Sequence, residues 1–379
     1  MKVCIDIQPA VGQGAGVGRY TAKLAEYLAR SCSPGDELDL FCFDFKRRAG
    51  TIESHGAAKK IIRWCPGRLA QFAWKKTGWP PFNAFAGKAD LYHFTNFIMP
   101  PLGKGRAVVS IHDMSFMRLP LFTEDKNLEY LEGKIKDTVN RADAIITISR
   151  FSAREIQDLL DVPPEKIFVT YPGIDSNFKP ADPDKISALC ERLKIKRPYL
   201  LSVGTFEPRK NFSFLVDVLE KMKNFHGSLV IAGNLGWKYQ SILARIKNSP
   251  MADRIYRLPD VNQEDLTVLY GGAEIFVFPS FYEGFGFPPL EAMACGTPVV
   301  SSSGGSLSEV LDNAAVIPDK FEADLWAERI EEIIGNADLR KKMISCGLKH
   351  ARQYKWEDTA KKIWEVYRTV LGCKIGEEA

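Results

Sequence analysis

The sequence predicts an α/β protein of two domains, each built on a parallel sheet. Short apolar runs alternate with amphipathic helical stretches, a pattern typical of parallel strands joined by crossover helices. The pattern restarts at Tyr199–Val203, after a segment rich in proline and aspartate. At 379 residues the chain is also longer than one ordinary domain of roughly 100 to 200 residues. We therefore expect two domains, with the boundary between residues 173 and 180.

The predicted elements follow in chain order. The first series has strands near residues 3–7, 38–43, 107–111 and 144–148, with helices near residues 19–30 and 129–141. The second series has strands at Tyr199–Val203, 229–231, Ile275–Phe278 and 299–300. The last stretch, Trp356–Leu371, carries apolar residues at helical spacing and predicts a C-terminal helix.

Composition excludes several classes of protein. Hydrophobic residues make up 45% and charged residues 26%, which are ordinary values for globular proteins. There is no apolar run of membrane-spanning length, and Asp6 interrupts the start where a signal peptide would be apolar. Eight cysteines without a Cys-x-x-Cys pair predict a reduced, cytoplasmic protein without structural zinc. The net charge of +4 is too small to indicate nucleic-acid binding.

One stretch, from Lys46 to Trp79, is strongly basic and aromatic. Nine basic residues and a single acid lie between residues 46 and 76, interleaved with Trp64, Phe72 and Trp74. This composition predicts a peripheral contact with the inner face of the cytoplasmic membrane. The alternative is a solvated basic face with the tryptophans packed inward.

A glycine-rich loop follows the first predicted strand and precedes a helix. Its glycines lie at positions 12, 14, 16 and 18, so the backbone can approach a ligand closely. The spacing is not the dinucleotide fingerprint, since Val17 and Arg19 stand where that motif needs glycine. We expect Gly16 and Gly18 to bind substrate; a flexible turn that only permits helix packing is the alternative.

Two adjacent cations, Arg209 and Lys210, follow the strand Tyr199–Val203 and precede a helix. Cations at the carboxyl end of a strand, beside a helix N-terminus, favour a diphosphate. A solvated basic turn is the less favoured interpretation.

The segment of residues 279–298 contains two glutamates and a glycine-rich loop. Pro288 and Pro289 predict the first turn of a short helix, near residues 288–295, because proline suits the first positions of a helix. Glu283 then precedes this helix, followed by Gly284, Phe285 and Gly286, and Glu291 lies on its early turns. The two carboxylates can meet opposite ends of one ligand, with phosphate between them.

This glutamate pair resembles the signature of retaining glycosyltransferases of the two-domain GT-B fold. The sequence around the pair resembles that of glycosyltransferase family 4. Nearly the whole chain agrees in order, including residues 204–211, the loop of residues 12–18, residues 111–113, 148–152 and 173–175. The resemblance implies two Rossmann-like domains with parallel sheets facing a central cleft. Residues 1–175 would bind the acceptor and residues 176–355 the nucleotide sugar, with residues 356–379 crossing back toward the first domain.

The resemblance also implies roles for individual residues. Arg209 and Lys210 would hold the donor diphosphate, Glu291 would bind the ribose, and Glu283 would bind sugar hydroxyls near the reacting carbon. From the first domain, His112 would contact the sugar. Gly284, Phe285 and Gly286 would form the substrate loop, and His93 would lie on the acceptor side.

The implied reaction moves a hexose, best assigned as mannose from GDP-mannose, to a glycan or lipid-linked acceptor of bacterial surface polysaccharide, with retention. A UDP-sugar such as UDP-glucose is the alternative donor.

No metal is expected to be required, since Asp182 and Asp184 flank a proline and suit a helix cap better than a metal site. Two other classes are alternatives. A nicotinamide-dependent oxidoreductase is opposed by the broken glycine fingerprint, and a catalytically silent binding protein is opposed by the presence of Glu283, Arg209 and Lys210.

Overall fold

The structure, a computed structural model, describes residues 1–12, 16–47 and 53–373. It divides into two compact units. The first comprises Met1–Met114, Asn127–Gly173 and the C-terminal segment from Lys355. The second comprises Ser115–Lys126 and Ile174–Tyr354.

Each unit is built on a parallel sheet, which confirms the predicted α/β class. The first sheet has the strand order β3-β2-β1-β4-β5-β6-β7, and the second has the order β10-β9-β8-β11-β12. The strands are β1 Lys2–Asp6, β2 Glu37–Phe43, β3 Ala58–Ile62, β4 Leu91–Phe94, β5 Arg106–Ser110, β6 Ala144–Thr147, β7 Ile167–Val169, β8 Tyr199–Val203, β9 Ser228–Ala232, β10 Ile255–Leu258, β11 Ile275–Phe278 and β12 Val299–Ser301.

Helices connect successive strands. They are α1 Gln8–Gly12, α2 Val17–Arg30, α3 Gly67–Thr77, α4 Asn83–Ala86, α5 Ser115–Arg118, α6 Asp125–Arg141, α7 Arg150–Leu160, α8 Pro183–Arg192, α9 Phe212–Lys221, α10 Gln240–Lys247, α11 Gln263–Gly272, α12 Phe287–Ala294, α13 Leu307–Leu311, α14 Ala323–Gly335, α15 Ala337–Ala351 and α16 Trp356–Leu371. Short 3-10 helices lie at Pro120–Phe122, Pro164–Lys166, Pro208–Lys210, Ala252–Arg254 and Asp312–Ala314. No helix among the described residues is both long and apolar enough to cross a membrane.

The C-terminal helix α16 belongs to the first unit, as predicted. The indole nitrogen of Trp364 donates to the carbonyl of Leu28 at the end of α2, at 3.3 Å. Where the chain enters this helix it passes very close to Gly173, since a Cβ at residue 173 would lie 2.2 Å from the amide nitrogen of Trp356. Only glycine fits this crossing of two backbones.

A buried histidine connects the first sheet to the C-terminal helix. His93 on β4 is fully buried, with Nδ1 2.6 Å from the hydroxyl of Tyr367 and Nε2 2.8 Å from that of Ser110. Burial lowers the pKa of His93 to about 3, so the ring is neutral at physiological pH. One ring nitrogen is therefore bonded to α16 and the other to β5 within the sheet.

One segment lies outside the expected domain boundary. Ser115–Lys126 falls within the predicted first domain of residues 1–175, yet it packs as part of the second unit. The physical reason is a set of hydrogen bonds to the loop before α10. The indole nitrogen of Trp237 donates to the carbonyl of Phe122 at 2.5 Å, and Lys238 Nζ donates to the carbonyl of Leu121 at 2.9 Å.

We predict that Tyr367→Phe destabilises the protein by about 1–3 kcal/mol, because it leaves His93 Nδ1 buried without a hydrogen-bond partner. Urea unfolding measured by circular dichroism gives the change in free energy. Tyr130→Phe is the matched control, since Tyr130 is 45% exposed and should stay within about 0.5 kcal/mol of the parent. Equal stability of the two variants would contradict the packing role of His93.

Candidate functional site

The candidate site of the second unit lies where its strand order reverses. Strands β8 and β11 are parallel neighbours, so their carboxyl ends meet at the same edge of the sheet. The loop after β8 carries Arg209 and Lys210, and the loop after β11 carries Glu283. In open α/β sheets, ligands bind beside the carboxyl ends of the strands at such a reversal.

The three charged side chains predicted from sequence contact one another. Lys210 Nζ donates to Glu283 Oε1 at 2.6 Å, and Arg209 Nη1 lies 2.9 Å from Glu283 Oε2. The hydroxyl of Ser280 also donates to Glu283 Oε1. Glu283 is 8% exposed and Lys210 is 9% exposed, so the cluster is shielded from most solvent. The structure thus brings together residues that are 73 positions apart in the chain.

The ionisation of Glu283 is set by these neighbours. Burial acts to raise the pKa of its carboxyl, but the charges of Arg209 and Lys210 and the hydrogen bonds from Lys210 and Ser280 outweigh burial and lower the pKa to about 2. The carboxyl is therefore ionised across the physiological pH range. It can accept hydrogen bonds but cannot donate a proton.

Glu207 orients Arg209, a role that the sequence did not predict. Its Oε1 accepts from Arg209 Nη2 at 2.5 Å, and it is almost fully buried. Arg209 Nη1 also donates to the carbonyl of Tyr282 at 2.6 Å. Two fixed contacts hold the guanidinium in one orientation, which suits bidentate binding of an oxyanion. The only signal in the sequence is the position of Glu207 inside the motif of residues 204–211.

The loop after β12 holds the backbone of Glu283 by hydrogen bonds to its carbonyl. Ser306 donates to the carbonyl of Glu283 through its amide at 2.9 Å and through its hydroxyl at 3.0 Å. Gly305 has a φ of +68°, and a Cβ there would lie 2.3 Å from that carbonyl oxygen. A third loop therefore fixes the backbone of Glu283, although no motif had indicated it.

The loop of Gly284, Phe285 and Gly286 leads directly into α12. Gly286 has a φ of +122°, a conformation that favours glycine, and the prolines at the start of α12 follow it. The N-terminus of an α-helix carries partial positive charge and attracts anions. Glu291 lies on this helix, buried, and accepts from the hydroxyl of Tyr270 at 2.9 Å. Its contact with a ribose stays a prediction.

His112 follows β5 in the first unit and is nearly buried. Its Nε2 lies 2.8 Å from the carbonyl oxygen of Thr95, which can only accept, so Nε2 carries the proton. Burial lowers the pKa of His112 despite this hydrogen bond and the nearby charge of Asp113. The neutral ring therefore keeps Nδ1 as an acceptor, suited to a sugar hydroxyl.

The other predicted site residues of the first unit are His93, Gly16 and Gly18. Both ring nitrogens of His93 are bonded inside the fold, one to α16 and one to β5, so its predicted acceptor-side role has no support in this geometry and stays a prediction. Gly16 has a φ of +57° immediately before α2, and Gly18 is buried in the first turn of that helix. Residues 13–15 of the same loop, including Gly14, lie outside the described residues.

Within residues 1–12, 16–47 and 53–373, no group of three or more His, Cys, Asp or Glu side chains is arranged to hold a metal ion. Asp182 caps α8, accepting from the amide of Asp184 at 2.9 Å. The helix-cap interpretation of Asp182 and Asp184 is therefore confirmed.

Two protein families match this chain. The family described as glycosyl transferases group 1 matches residues 191–350, and glycosyltransferase family 4 matches residues 14–178. O-antigen chain mannosyltransferase B of Escherichia coli is 29% identical over 384 residues, covering 97% of this chain and all of that protein.

Solved structures match over nearly the full length. Sucrose-phosphate synthase of Thermosynechococcus elongatus superposes with a TM-score of 0.78 at 20% identity, covering 98% of this chain and 99% of that one. Anabaena HepE, in complex with UDP and glucose, has a TM-score of 0.75 at 20% identity, covering 97% of this chain and all of that one. At this identity the two structures establish the fold.

Proposed function

Since this chain belongs to the GT-B-fold glycosyltransferases of family 4, we propose that it transfers mannose from GDP-mannose to a hydroxyl of a glycan or lipid-linked acceptor, with retention of anomeric configuration. The observation that carries the chemistry is the cluster of Glu283, Arg209 and Lys210 at the reversal point of the second sheet. The choice of mannose and of surface-polysaccharide synthesis rests on the full-length similarity to the Escherichia coli mannosyltransferase.

UDP-glucose is the second candidate donor. The fold is shared with Anabaena HepE, which was solved with UDP and glucose. The identity of 20% to that protein is lower than the 29% to the mannosyltransferase, so GDP-mannose is preferred. Titrating a panel of nucleotide sugars against the purified protein separates the two donors.

In the proposed reaction the bond between the sugar's anomeric carbon and the diphosphate oxygen breaks. The acceptor oxygen bonds to the same face of that carbon, and its proton passes to the departing diphosphate. Arg209, Lys210 and the N-terminus of α12 neutralise the charge that develops on the leaving group. This arrangement supplies the required positive charge without a metal ion.

Glu283 acts in this scheme as a hydrogen-bond acceptor for sugar hydroxyls. Attack on the anomeric carbon by Glu283 itself is less favoured, since a carboxylate with a pKa near 2, paired with Arg209 and Lys210, is a weak nucleophile. His112, neutral and with Nδ1 as an acceptor, would bind a further hydroxyl. Glu291 would bind the ribose.

We predict that Glu283→Ala and Lys210→Ala each lower kcat by about 100-fold or more, the scale of losing a preorganised charge contact in a transition state. Release of GDP from GDP-mannose with an acceptor extract measures turnover, and circular dichroism checks that each variant folds. Lys223→Ala, an exposed residue of the same unit, is the matched control and should keep full activity. Near-normal turnover of either site variant would refute the assignment.

Turnover should persist in excess EDTA. Arg209, Lys210 and the α12 N-terminus supply the charge that a divalent cation provides in metal-dependent transferases. The same assay is run before and after chelation, then with added magnesium or manganese. Complete loss on chelation that either metal restores would show that a metal is required.

We also propose that the stretch from Lys46 to Trp79 contacts the cytoplasmic membrane, where a lipid-linked acceptor would reside. In this stretch, outside residues 48–52, Trp64 is 72% exposed, Trp79 70%, Phe72 63% and Leu69 61%. Exposed aromatic rings beside basic residues are typical of membrane interfaces. Trp74 differs, because it is half buried and its indole nitrogen donates to the carbonyl of Pro80 at 2.6 Å.

Reversing two charges should detach the protein from anionic vesicles. Lys59→Glu with Lys76→Glu is expected to weaken binding to phosphatidylglycerol vesicles at least about tenfold, since each basic residue contributes about 1 kcal/mol. Lys60 is left unchanged because it pairs with buried Asp39 at 2.7 Å.

Co-sedimentation at low salt measures the binding. The matched control reverses Lys341 and Lys342, which are exposed on α15, and should bind as the parent does. A parent protein that ignores these vesicles would end the proposal.

A further inference from the structure

The first unit contains a cavity of about 720 Å³, within the range of roughly 300–1,000 Å³ that is usual for ligand pockets. Its lining includes Asp6 at the end of β1, Gln8 at the start of α1, Phe43 at the end of β2 and the loop of residues 98–101 after β4. Strand order in this sheet reverses between β1 and β4. The cavity thus lies at the position where open α/β sheets bind ligands.

One wall of the cavity is aromatic. The ring of Trp74 lies 6.0 Å from that of Phe43 and 6.2 Å from that of Phe82, measured between centroids. The hydrogen bond from Trp74 to Pro80 fixes the indole in this position. Rigid aromatic faces of this kind can pack against the carbon–hydrogen faces of sugar rings.

Three cations line the same cavity: Arg68 and Lys75 on α3, and Lys134 on α6. None of them forms an ion pair with another residue in the part of the chain that the structure describes. A fourth lining cation, Arg141, differs because it pairs with Asp137 at 2.9 Å. Three unneutralised cations around one cavity attract an anion, and a phosphate matches the guanidinium fork of Arg68.

The cavity lining also includes a carboxyl group, that of Asp6. Asp6 Oδ1 accepts from the amide of Gln8 at 2.9 Å, and burial raises the pKa of Asp6 to about 6. The Gln8 side chain is held in turn by the backbone of Phe43, whose amide donates to Oε1 at 2.9 Å. Asp6 is therefore fixed in place and has acceptor capacity for a hydroxyl group.

We propose that this cavity binds an acceptor that combines a saccharide with a phosphate or diphosphate group. The sugar rings lie against Phe43, Trp74 and Phe82, one hydroxyl is bound by Asp6, and the phosphate is bound by Arg68, Lys75 and Lys134. The term acceptor rests on the proposed transferase function; the chemistry of the ligand rests on the cavity.

Two other occupants suit the cavity less well. A hydrocarbon tail would bury Asp6 and the cations against apolar groups, at a cost in desolvation that nothing offsets. A neutral glycan would satisfy Asp6 and the aromatic wall but leave three cations without a counter-charge.

Calorimetric titration of the full chain, without any donor, tests the proposal. The probes are a mannose disaccharide joined to methyl diphosphate, the methyl glycoside of the same disaccharide, and inorganic pyrophosphate. We expect the first probe to bind at least tenfold more tightly than either of the others. Equal affinity for the two saccharides would overturn the phosphate site. Equal affinity for pyrophosphate, if it persists in Lys210→Ala, whose second-unit diphosphate site is impaired, would overturn the saccharide site.

Variants locate the binding. Arg68→Gln and Lys134→Gln should each weaken binding of the diphosphate probe at least fivefold and leave the glycoside unchanged, whereas Asp6→Asn should weaken both saccharides. Lys76→Gln is the matched control, since Lys76 neighbours Lys75 on α3 but does not line the cavity. Losses no larger than that of Lys76→Gln would refute the site.

The two proposals can fail separately. Lys210→Ala should leave affinity for the diphosphate probe unchanged, because Lys210 belongs to the second unit. Normal probe binding with no turnover of any nucleotide sugar would count against the proposed reaction alone. Loss of probe binding in Lys210→Ala would instead place the probe in the second unit and refute the cavity site.

Discussion

The Glu283 carboxylate lies 2.9 Å from Arg209 Nη1 and 2.6 Å from Lys210 Nζ, where little water remains to solvate the three charges. Removing ions from water costs several kcal/mol for each ion, so such a cluster persists only when every member is paired. The loops after β8 and β11 must therefore close on one another in the folded unit. Ser306 and Gly305, from the loop after β12, hold the Glu283 backbone so that this closure occurs in one register.

The same cluster constrains how a donor can bind. Glu207 and Glu283 already balance the charges of Arg209 and Lys210, so an incoming diphosphate competes with a carboxylate for each cation. Arg209 can bind either the diphosphate or the Glu283 carboxylate, because Glu207 holds one edge of its guanidinium in place. In the proposed reaction, phosphate draws the cations away from Glu283 and leaves its oxygens available to sugar hydroxyls. Binding of the donor diphosphate is then coupled to the release of the Glu283 carboxylate for the sugar.

Local pattern predicted most of the buried strands, although it missed β4, whose four residues are all buried. Strand β11 is entirely apolar and β8 is apolar except for Ser202, and the sequence located both at their observed bounds. Strand β3 was missed, since it lies at an edge and includes exposed Lys59 beside Lys60, which pairs with Asp39. The docking of Ser115–Lys126 onto the second unit was also missed, because the hydrogen bonds of Trp237 and Lys238 join residues more than 110 positions apart.

The same distinction between local and distant information applies to the sites. Arg209, Lys210 and Glu283 could be predicted because each follows a recognisable strand, and parallel strands bring their carboxyl ends together. The environment of His93 could not be predicted, since Tyr367 lies 274 residues away in the chain and the sequence around His93 gives no sign of this contact. Asp6 shows the intermediate case. Its position at the end of β1 is evident from the sequence, but its place in a cavity depends on α3 and α6, whose cations become neighbours only when the sheet has formed.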